Sequence, residues 1–219
     1  MSVNMSHDTE INQEKMSQMV DELRIYTLRP GAMARYLKLA ETVAVPVRGD
    51  RYGVLLGFWA GEVGGANCVF NLWRHEDLET RRRLRLELGA LPAWREQYLA
   101  EVRPLMLRQM VRFMDAVLPL SAPAYPVGLY EFRMLRTRAG EANILAQAIA
   151  ERPEPGTLGV WTTSAGPINE VVQLLGHADA VGRFSRSLHE PDGVLAREAA
   201  RIEEVESSLA LAAPHSPLL

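Results

Sequence analysis

Two histidines stand in matching sequence contexts and are the first candidates for chemistry. His75 and His177 are each followed two residues later by an aspartate, and the residues before them recur at a constant offset of 102. An imidazole titrates near neutral pH, so it suits proton transfer from a phenol or an enolisable ketone. The sequence therefore predicts His75 as a general base or proton donor. The alternative is that both rings lie at a strand end in a structural role.

Further polar and aromatic side chains near these histidines complete a candidate site. We expect Asn67 and Arg24 to donate hydrogen bonds to an oxyanion, although an Asn after a glycine-rich turn often satisfies backbone groups of that turn instead. A tryptophan beside a glycine belongs either to a flat-substrate pocket or to the core. Four side chains are predicted to form the walls of a substrate pocket: Tyr26, Trp59, Asn71 and Trp73.

Composition and charge limit the kinds of partner and cofactor. The chain has 24 basic and 27 acidic residues and a net charge of −3, so it lacks the basic surplus typical of nucleic-acid binding. Cys68 and five scattered histidines offer no coherent set of metal ligands, and no glycine-rich turn fits a dinucleotide. We predict no metal, no cofactor and no nucleic-acid partner. The basic run of Arg81-Arg82-Arg83 and Arg85 is interpreted as a solvated helix face, with an anionic partner surface as the alternative.

No segment of the sequence is typical of a membrane span or a targeting signal. The first nineteen residues carry acidic side chains and no apolar run. No stretch of about 18 apolar residues follows them. We therefore expect a polar tail over residues 1–19, no membrane insertion and a cytoplasmic location.

The elements that would position these residues occur twice. Glu22-Leu23-Arg24-Ile25 recurs as Glu131-Phe132-Arg133-Met134 at an offset of 109. Gly57-Phe58-Trp59 recurs as Gly159-Val160-Trp161 at an offset of 102, and the matches continue to the histidines. Self-similarity of this kind indicates an internal duplication.

We infer two homologous units, over residues 20–123 and 127–219, joined by a proline-rich linker. Each unit has a strand, a helix, two strands joined by a glycine hairpin, a helix and a strand. This order is that of the ferredoxin-like fold, which leaves one sheet face uncovered. Two such faces bury each other, so the predicted fold class is α+β, with two tandem ferredoxin-like units whose antiparallel sheets form an α+β barrel.

The third strand has a clear alternation between its two faces. Cys68, Phe70 and Leu72 are predicted to share one face, and Asn71 and Trp73 the other. The first helix is predicted to be limited by Pro46. Tyr26 has no aromatic counterpart in the second unit, where Leu135 stands. One working and one degenerate pocket would produce this difference, and neutral drift would produce it equally.

The repeated segments resemble a known family. Residues 22–31 resemble the opening of a NIPSNAP domain, and the segments 57–59 and 67–73 also resemble this family. In the second half, the segments 159–163 and 166–172 resemble it more closely. The chain end His215-Ser216-Pro217-Leu218 resembles the Ser-Pro-Leu end of many members. The resemblance implies a tandem form of the dimeric α+β barrel.

The resemblance also implies possible functions. Wider relatives of the family include cofactor-free monooxygenases and cyclases that act on aromatic polyketides. The sequence departs from the family pattern where Asn71 and Gln173 replace a frequent His, and where His75 and His177 replace a frequent Tyr.

Two functional hypotheses follow from these observations. The first is a protein that binds a small apolar aromatic or polyketide-like metabolite inside the barrel and, if it is an enzyme, transforms it without a cofactor. The alternative is a non-catalytic interaction or stress-related barrel. We also expect a homo-oligomer, because sheet edges left by an intrachain barrel are covered by association.

Overall fold

The computed structural model describes residues 19–186 and 190–218. The polar tail is expected over residues 1–19, and residues 1–18 of it lie outside the described residues. The division into units at 20–123 and 127–219 stays a prediction, although the strand arrangement has the symmetry that such a division implies.

Eight antiparallel strands form one closed barrel. Around the barrel their order is β1-β3-β2-β8-β5-β7-β6-β4. Their bounds are β1 Val20–Leu28, β2 Val54–Val63, β3 Cys68–His75, β4 Met106–Leu118, β5 Leu129–Thr137, β6 Thr157–Ala165, β7 Glu170–His177 and β8 Ile202–Ala212. Each half contributes four strands in the ferredoxin-like order, and the pairs β2–β8 and β4–β6 join the halves. The predicted α+β fold class is confirmed.

Helices cover the outside of the barrel. Their bounds are α1 Met33–Leu39, α2 Val45–Arg48, α3 Leu78–Ala90, α4 Ala100–Val102, α5 Ala142–Glu151, α6 Ala180–Ser185 and α7 Val194–Arg197. Two π-helical turns, Ala40–Ala44 and Ala93–Leu99, precede α2 and α4. The prediction that Pro46 limits the first helix is wrong, because α2 continues to Arg48. The wider π turn ahead of Pro46 relieves the clash that its ring would make with the preceding turn.

The inside of the barrel is an apolar core. Cys68, Phe70 and Leu72 point into it, as the alternation of β3 predicts, and they pack with side chains of both halves. Phe70 stacks on Phe132 of β5 with ring centroids 4.7 Å apart. The expectation that the barrel encloses a ligand is therefore wrong, because side chains of the two sheets fill its interior.

Two tryptophans occupy equivalent places in this core. Trp59 of β2 and Trp161 of β6 are 0% and 1% exposed. Each indole lies over the glycine two residues earlier: a Cβ added to Gly57 or Gly159 would lie 2.0 or 2.3 Å from the ring. The repeated Gly-x-Trp pattern is thus explained by packing, since only glycine leaves room for the indole.

Closure of the barrel affects the expectation of a homo-oligomer. Every one of the eight strands has two paired neighbours. The argument from free sheet edges is therefore wrong, because the two halves cover each other's edges within one chain. The homo-oligomer itself stays a prediction.

Candidate functional site

A cavity of about 560 Å³ lies between the sheet of the first half and its helices. Its sheet side is formed by outward-pointing residues of β1 and β3, its helical side by α1 to α4 with their π turns, and one end by the chain terminus. The cavity wall includes Arg24, Tyr26, Tyr36, Arg48, Phe58, Asn71, Trp73, Arg85, Trp94, Tyr98 and His215. Alternation places these side chains in the cavity because their odd-numbered neighbours in β1 and their even-numbered neighbours in β3 fill the barrel.

Aromatic side chains form much of the cavity wall. Tyr26 meets Tyr36 edge to face with centroids 6.4 Å apart, and Trp94 packs on Tyr98 at 4.6 Å. Burial raises the pKa of Tyr26 and raises that of Tyr36 well above its usual range. Both phenols are therefore neutral at physiological pH, and they offer flat surfaces and hydroxyl groups rather than a base.

Four arginines line the cavity and give it a positive charge, and all of them except the exposed Arg103 are buried or half-buried. Arg24 is 6% exposed and Arg48 is 5% exposed, while Arg85 is half-buried. Arg48 stacks on Trp73, with its Cζ atom 3.3 Å from the ring centroid. It donates one hydrogen bond, to the Tyr52 carbonyl. Within the described chain, the buried Nε atoms of Arg24 and Arg48 have no hydrogen-bond partner.

His215 closes one end of the cavity. Its ring packs on Phe58 with centroids 4.5 Å apart. The next residue fixes this segment, because the Ser216 hydroxyl accepts a hydrogen bond from the Phe58 N–H at 2.9 Å. Both ring nitrogens of His215 are buried, and neither has a partner among the described residues. Burial lowers the pKa of His215, so the ring is a neutral base at pH 7.

Four of the seven residues predicted from the sequence meet in this cavity: Arg24, Tyr26, Asn71 and Trp73. The Asn71 amide is already engaged there. Its oxygen accepts from the Trp73 indole at 2.7 Å, and its nitrogen donates to the Arg24 carbonyl at 3.3 Å. Asn71 therefore orients the Trp73 wall.

His75, Asn67 and Trp59 do not line the cavity. His75 is 2% exposed and lies 3.2 Å from a Glu22 carboxylate oxygen, which also binds Arg81. Asn67 sits in the β2–β3 turn at a φ of 63°, a left-handed conformation that asparagine tolerates. Trp59 belongs to the barrel core.

The surroundings of His75 recur in the second half. Glu131 accepts hydrogen bonds from His177 at 2.9 Å and from both ends of the Arg183 guanidinium at 2.5 and 2.9 Å. The same offset of 102 relates Arg81 to Arg183. The matched histidines thus belong to two equivalent buried ion clusters, which join the first and third strands to the second helical segment of each half.

Sequence reasoning missed Arg48, Arg85 and His215. The sequence singled out Arg85 only as part of a basic run. The structure separates the residues of this run, because Arg82 and Arg83 pair with glutamates on the exposed helix face, whereas Arg85 lines the cavity. The signal in the sequence that could have located the site is that the residues of the cavity wall are not repeated in the second half. In the second half, apolar side chains replace the cavity wall, with Leu135, Leu145 and Val160 at the positions of Tyr26, Tyr36 and Phe58, and they form a packed cluster.

Two further observations concern metals and membranes. Across residues 19–186 and 190–218, no three His, Cys, Asp or Glu side chains come together as metal ligands. None of the helices in that part of the chain has the length and apolar character needed to cross a membrane.

Solved structures share the whole fold at low sequence identity. A monooxygenase-like protein from Fusobacterium nucleatum is 10% identical, with a TM-score of 0.65, over 90% of this chain and 93% of that one. An anthrone oxidase-like protein is 12% identical, with a TM-score of 0.62, over 89% and 91%. These likenesses show the fold alone. No curated protein matches this sequence.

Closer sequence similarity covers about half of the chain. The NIPSNAP family model matches residues 21–121. An uncharacterized NIPSNAP-like domain protein from Burkholderia xenovorans is 33% identical, over 50% of this chain and 93% of that one, with a TM-score of 0.44. A NIPSNAP family protein of unknown function from Agrobacterium tumefaciens is 30% identical over 45% and 87%, with a TM-score of 0.43. The resemblance seen in the sequence is confirmed, and this chain belongs to the NIPSNAP family.

Proposed function

We propose that this protein binds a small aromatic or polyketide-like metabolite in the first-half cavity and transforms it without a cofactor by removing a proton. The observation that carries the proposal is that one aromatic cavity holds both a neutral base, His215, and two buried guanidinium groups whose Nε atoms have no partner in the described structure. A volume of about 560 Å³ falls in the range of small-molecule sites.

The chemistry assigned to each side chain follows from its state in the free protein. Neutral His215 would accept a proton from an acidic phenol or from a carbon next to a carbonyl. The positive charge of Arg24 and Arg48 would stabilise the anionic ligand that results, in surroundings from which much of the water is excluded. Tyr26 and Trp73 would hold the ring plane. We assign the base role to His215 rather than His75, because the His75 ring faces Glu22 and not the cavity.

One reaction of this class is oxidation of an anthrone. Loss of a proton from the central ring gives an electron-rich enolate that reacts with dioxygen directly. The overall change is one anthrone and one O₂ to one anthraquinone and one water. The shared fold of an anthrone oxidase-like protein makes this a reasonable first reaction to assay.

The alternative is a non-catalytic interaction protein. It is favoured by the structural roles of the repeated histidines and asparagines: His75 and His177 lie in ion clusters, and Asn67 and Asn169 lie in turns. It does not account for a cavity wall present in one half and replaced by packed leucines and valines in the other.

The test is oxygen uptake with anthrone at neutral pH, corrected for the rate without protein. Replacing His215 by phenylalanine keeps the packing on Phe58 but removes both nitrogens, and we expect the rate to fall by roughly 10²-fold. Added imidazole is expected to restore part of the activity of a His215→Ala variant. Arg82→Met, on the exposed helix face, is the control. Anthrone binding with no turnover would favour the non-catalytic alternative, and full activity of His215→Phe would remove His215 from the base role.

A further inference from the structure

We infer that the natural ligand is an aromatic carboxylate, ionised before it enters, whose carboxylate group binds between Arg24 and Arg48 with Arg85 nearby. This inference rests on the proposed function, because it names the substrate class of the same cavity. It follows from the charge and hydrogen bonding of the cavity wall.

The cavity holds more positive charge than its surroundings neutralise. The nearest buried carboxylate is Glu22, which receives two hydrogen bonds from Arg81, at 2.6 and 3.0 Å. Its closest approach to Arg24 is 3.6 Å, beyond hydrogen-bond range. The carboxylate that lines the cavity, Asp50, is exposed. Burying cations without a partner is costly, so an incoming anion would relieve this cost.

The matching arginine of the second half, Arg133, has its charge neutralised by two carboxylates. Arg133, at the position of Arg24, donates to Glu131 at 2.8 Å and to Glu154 at 2.5 Å. Arg24 has neither of these close bonds. The fold therefore supplies internal carboxylates where the arginine is only structural, and it leaves Arg24 without them on the cavity wall.

The free atoms of the two arginines suit a carboxylate in particular. A carboxylate that approaches a guanidinium from the side accepts one hydrogen bond from Nε and one from an Nη atom. The Nε atoms of Arg24 and Arg48 are both buried and unpaired in the described structure. Trp73, which lies under the Arg48 guanidinium, fixes its plane without using a donor.

The acid–base properties of Arg48 and Arg85 agree with that picture. Burial, together with the charges of Arg85 and Arg24, lowers the pKa of Arg48 to about 9. Burial and the charge of Arg24 also lower the pKa of Arg85. On the facing elements, Tyr26 and Glu22 act in the opposite direction on both groups. The arginines remain charged at neutral pH, and a bound anion would raise both pKa values again.

The experiment compares 2-naphthoate with its neutral amide, 2-naphthamide, by isothermal titration calorimetry at pH 7. The two probes have the same ring and similar size. We expect naphthoate to bind at least tenfold more tightly. Arg48→Met should weaken naphthoate binding by roughly 10- to 100-fold while changing naphthamide binding by less than about threefold. Arg85→Met is the second variant, and Arg82→Met is the control that should bind like the wild type.

Thermal unfolding provides an independent readout. Arg48→Met removes a buried charge that lacks a counter-ion, so the free variant should have a melting temperature equal to or above that of the wild type. Naphthoate should raise the melting temperature of the wild type more than that of the variant.

The outcomes separate this inference from the proposed function. Equal or tighter binding of naphthamide would overturn the carboxylate assignment and leave an aromatic site in place. Naphthoate binding that is unchanged in both Arg48→Met and Arg85→Met would also overturn it. Failure of both probes to bind would overturn the aromatic site itself.

Discussion

Replacing Glu131 by glutamine is expected to lower the free energy of unfolding by about 3–5 kcal/mol. Glu131 is fully buried and accepts hydrogen bonds from Arg183, Arg133, His177 and the Ser207 hydroxyl. A glutamine side chain would place an NH₂ group against these donors and leave the Arg183 guanidinium buried without a counter-ion, whereas Arg133 would keep Glu154. Chemical denaturation of wild type and variant at pH 7 measures the difference.

The same variant should also change how the free energy of unfolding depends on pH in acid. Burial alone raises the pKa of Glu131, but hydrogen bonds from His177, Arg183 and Arg133 outweigh burial and hold the pKa well below its usual range. A carboxyl whose pKa is depressed on folding stabilises the protein above its unfolded pKa, about 4.3, and loses that contribution as the pH falls toward the folded pKa. Below about pH 4, the stability of Glu131→Gln should therefore fall less steeply than that of the wild type.

An exposed pair with the same geometry provides the control. Arg82 donates two hydrogen bonds to Glu79, at 2.7 and 2.9 Å, but the Glu79 side chain is 73% exposed. Glu79→Gln should leave the free energy of unfolding nearly unchanged, because water replaces the hydrogen bonds that the exposed pair loses. An equally small loss in Glu131→Gln would contradict the structural role assigned to the ion clusters.

Replacing Gly57 by alanine is expected to destabilise the protein by about 3 kcal/mol. The added Cβ would lie 2.0 Å from the Trp59 ring, so the indole must move. It cannot move freely, because Phe132 meets it edge to face at a centroid distance of 5.0 Å inside a packed core. A loss of this size corresponds to a fall in melting temperature of about 6–12 °C for a chain of this length.

Two comparisons make this result specific. Gly89→Ala, in α3, has nothing within 4 Å of the added Cβ and should be neutral or stabilising by up to about 1 kcal/mol. Combining Gly57→Ala with Trp59→Leu should cost less than the sum of the two single changes, because the leucine vacates the contested space. Strict additivity in this double-mutant cycle would show that Gly57 and Trp59 do not interact as the structure indicates.

Much of the fold could be predicted because the duplicated residues have structural roles. Alternation in β3 assigned Phe70 and Leu72 to the barrel face, and the repeated Gly-x-Trp pattern placed Trp59 and Trp161 in equivalent strands. The pairing of strand edges that closes the barrel could not be predicted in the same way. It depends on which strand of one half pairs with which strand of the other, and those contacts leave no periodic signal in the chain.

The candidate site was harder to predict for a related reason. Repetition drew the prediction to His75 and Asn67, which both halves need for an ion cluster and a tight turn. Arg48 and His215 lack such counterparts, and His215 reaches the cavity only because the chain end folds back over β2. Tyr26 carried the most useful signal in the sequence. Leu135 stands at the matching position of the second half, where a packed core replaces the cavity wall.

The most direct test of the proposed site is a crystal structure with 6-bromo-2-naphthoate, in which the anomalous signal of bromine locates the ring. We expect one bromine peak in the cavity between β1, β3 and the first-half helices. The carboxylate should lie within about 3 Å of the guanidinium nitrogens of Arg48. Bromine bound inside the barrel, or in the shallow groove beside Tyr125 and Leu218, would contradict the account, as would a crystal that takes up no probe.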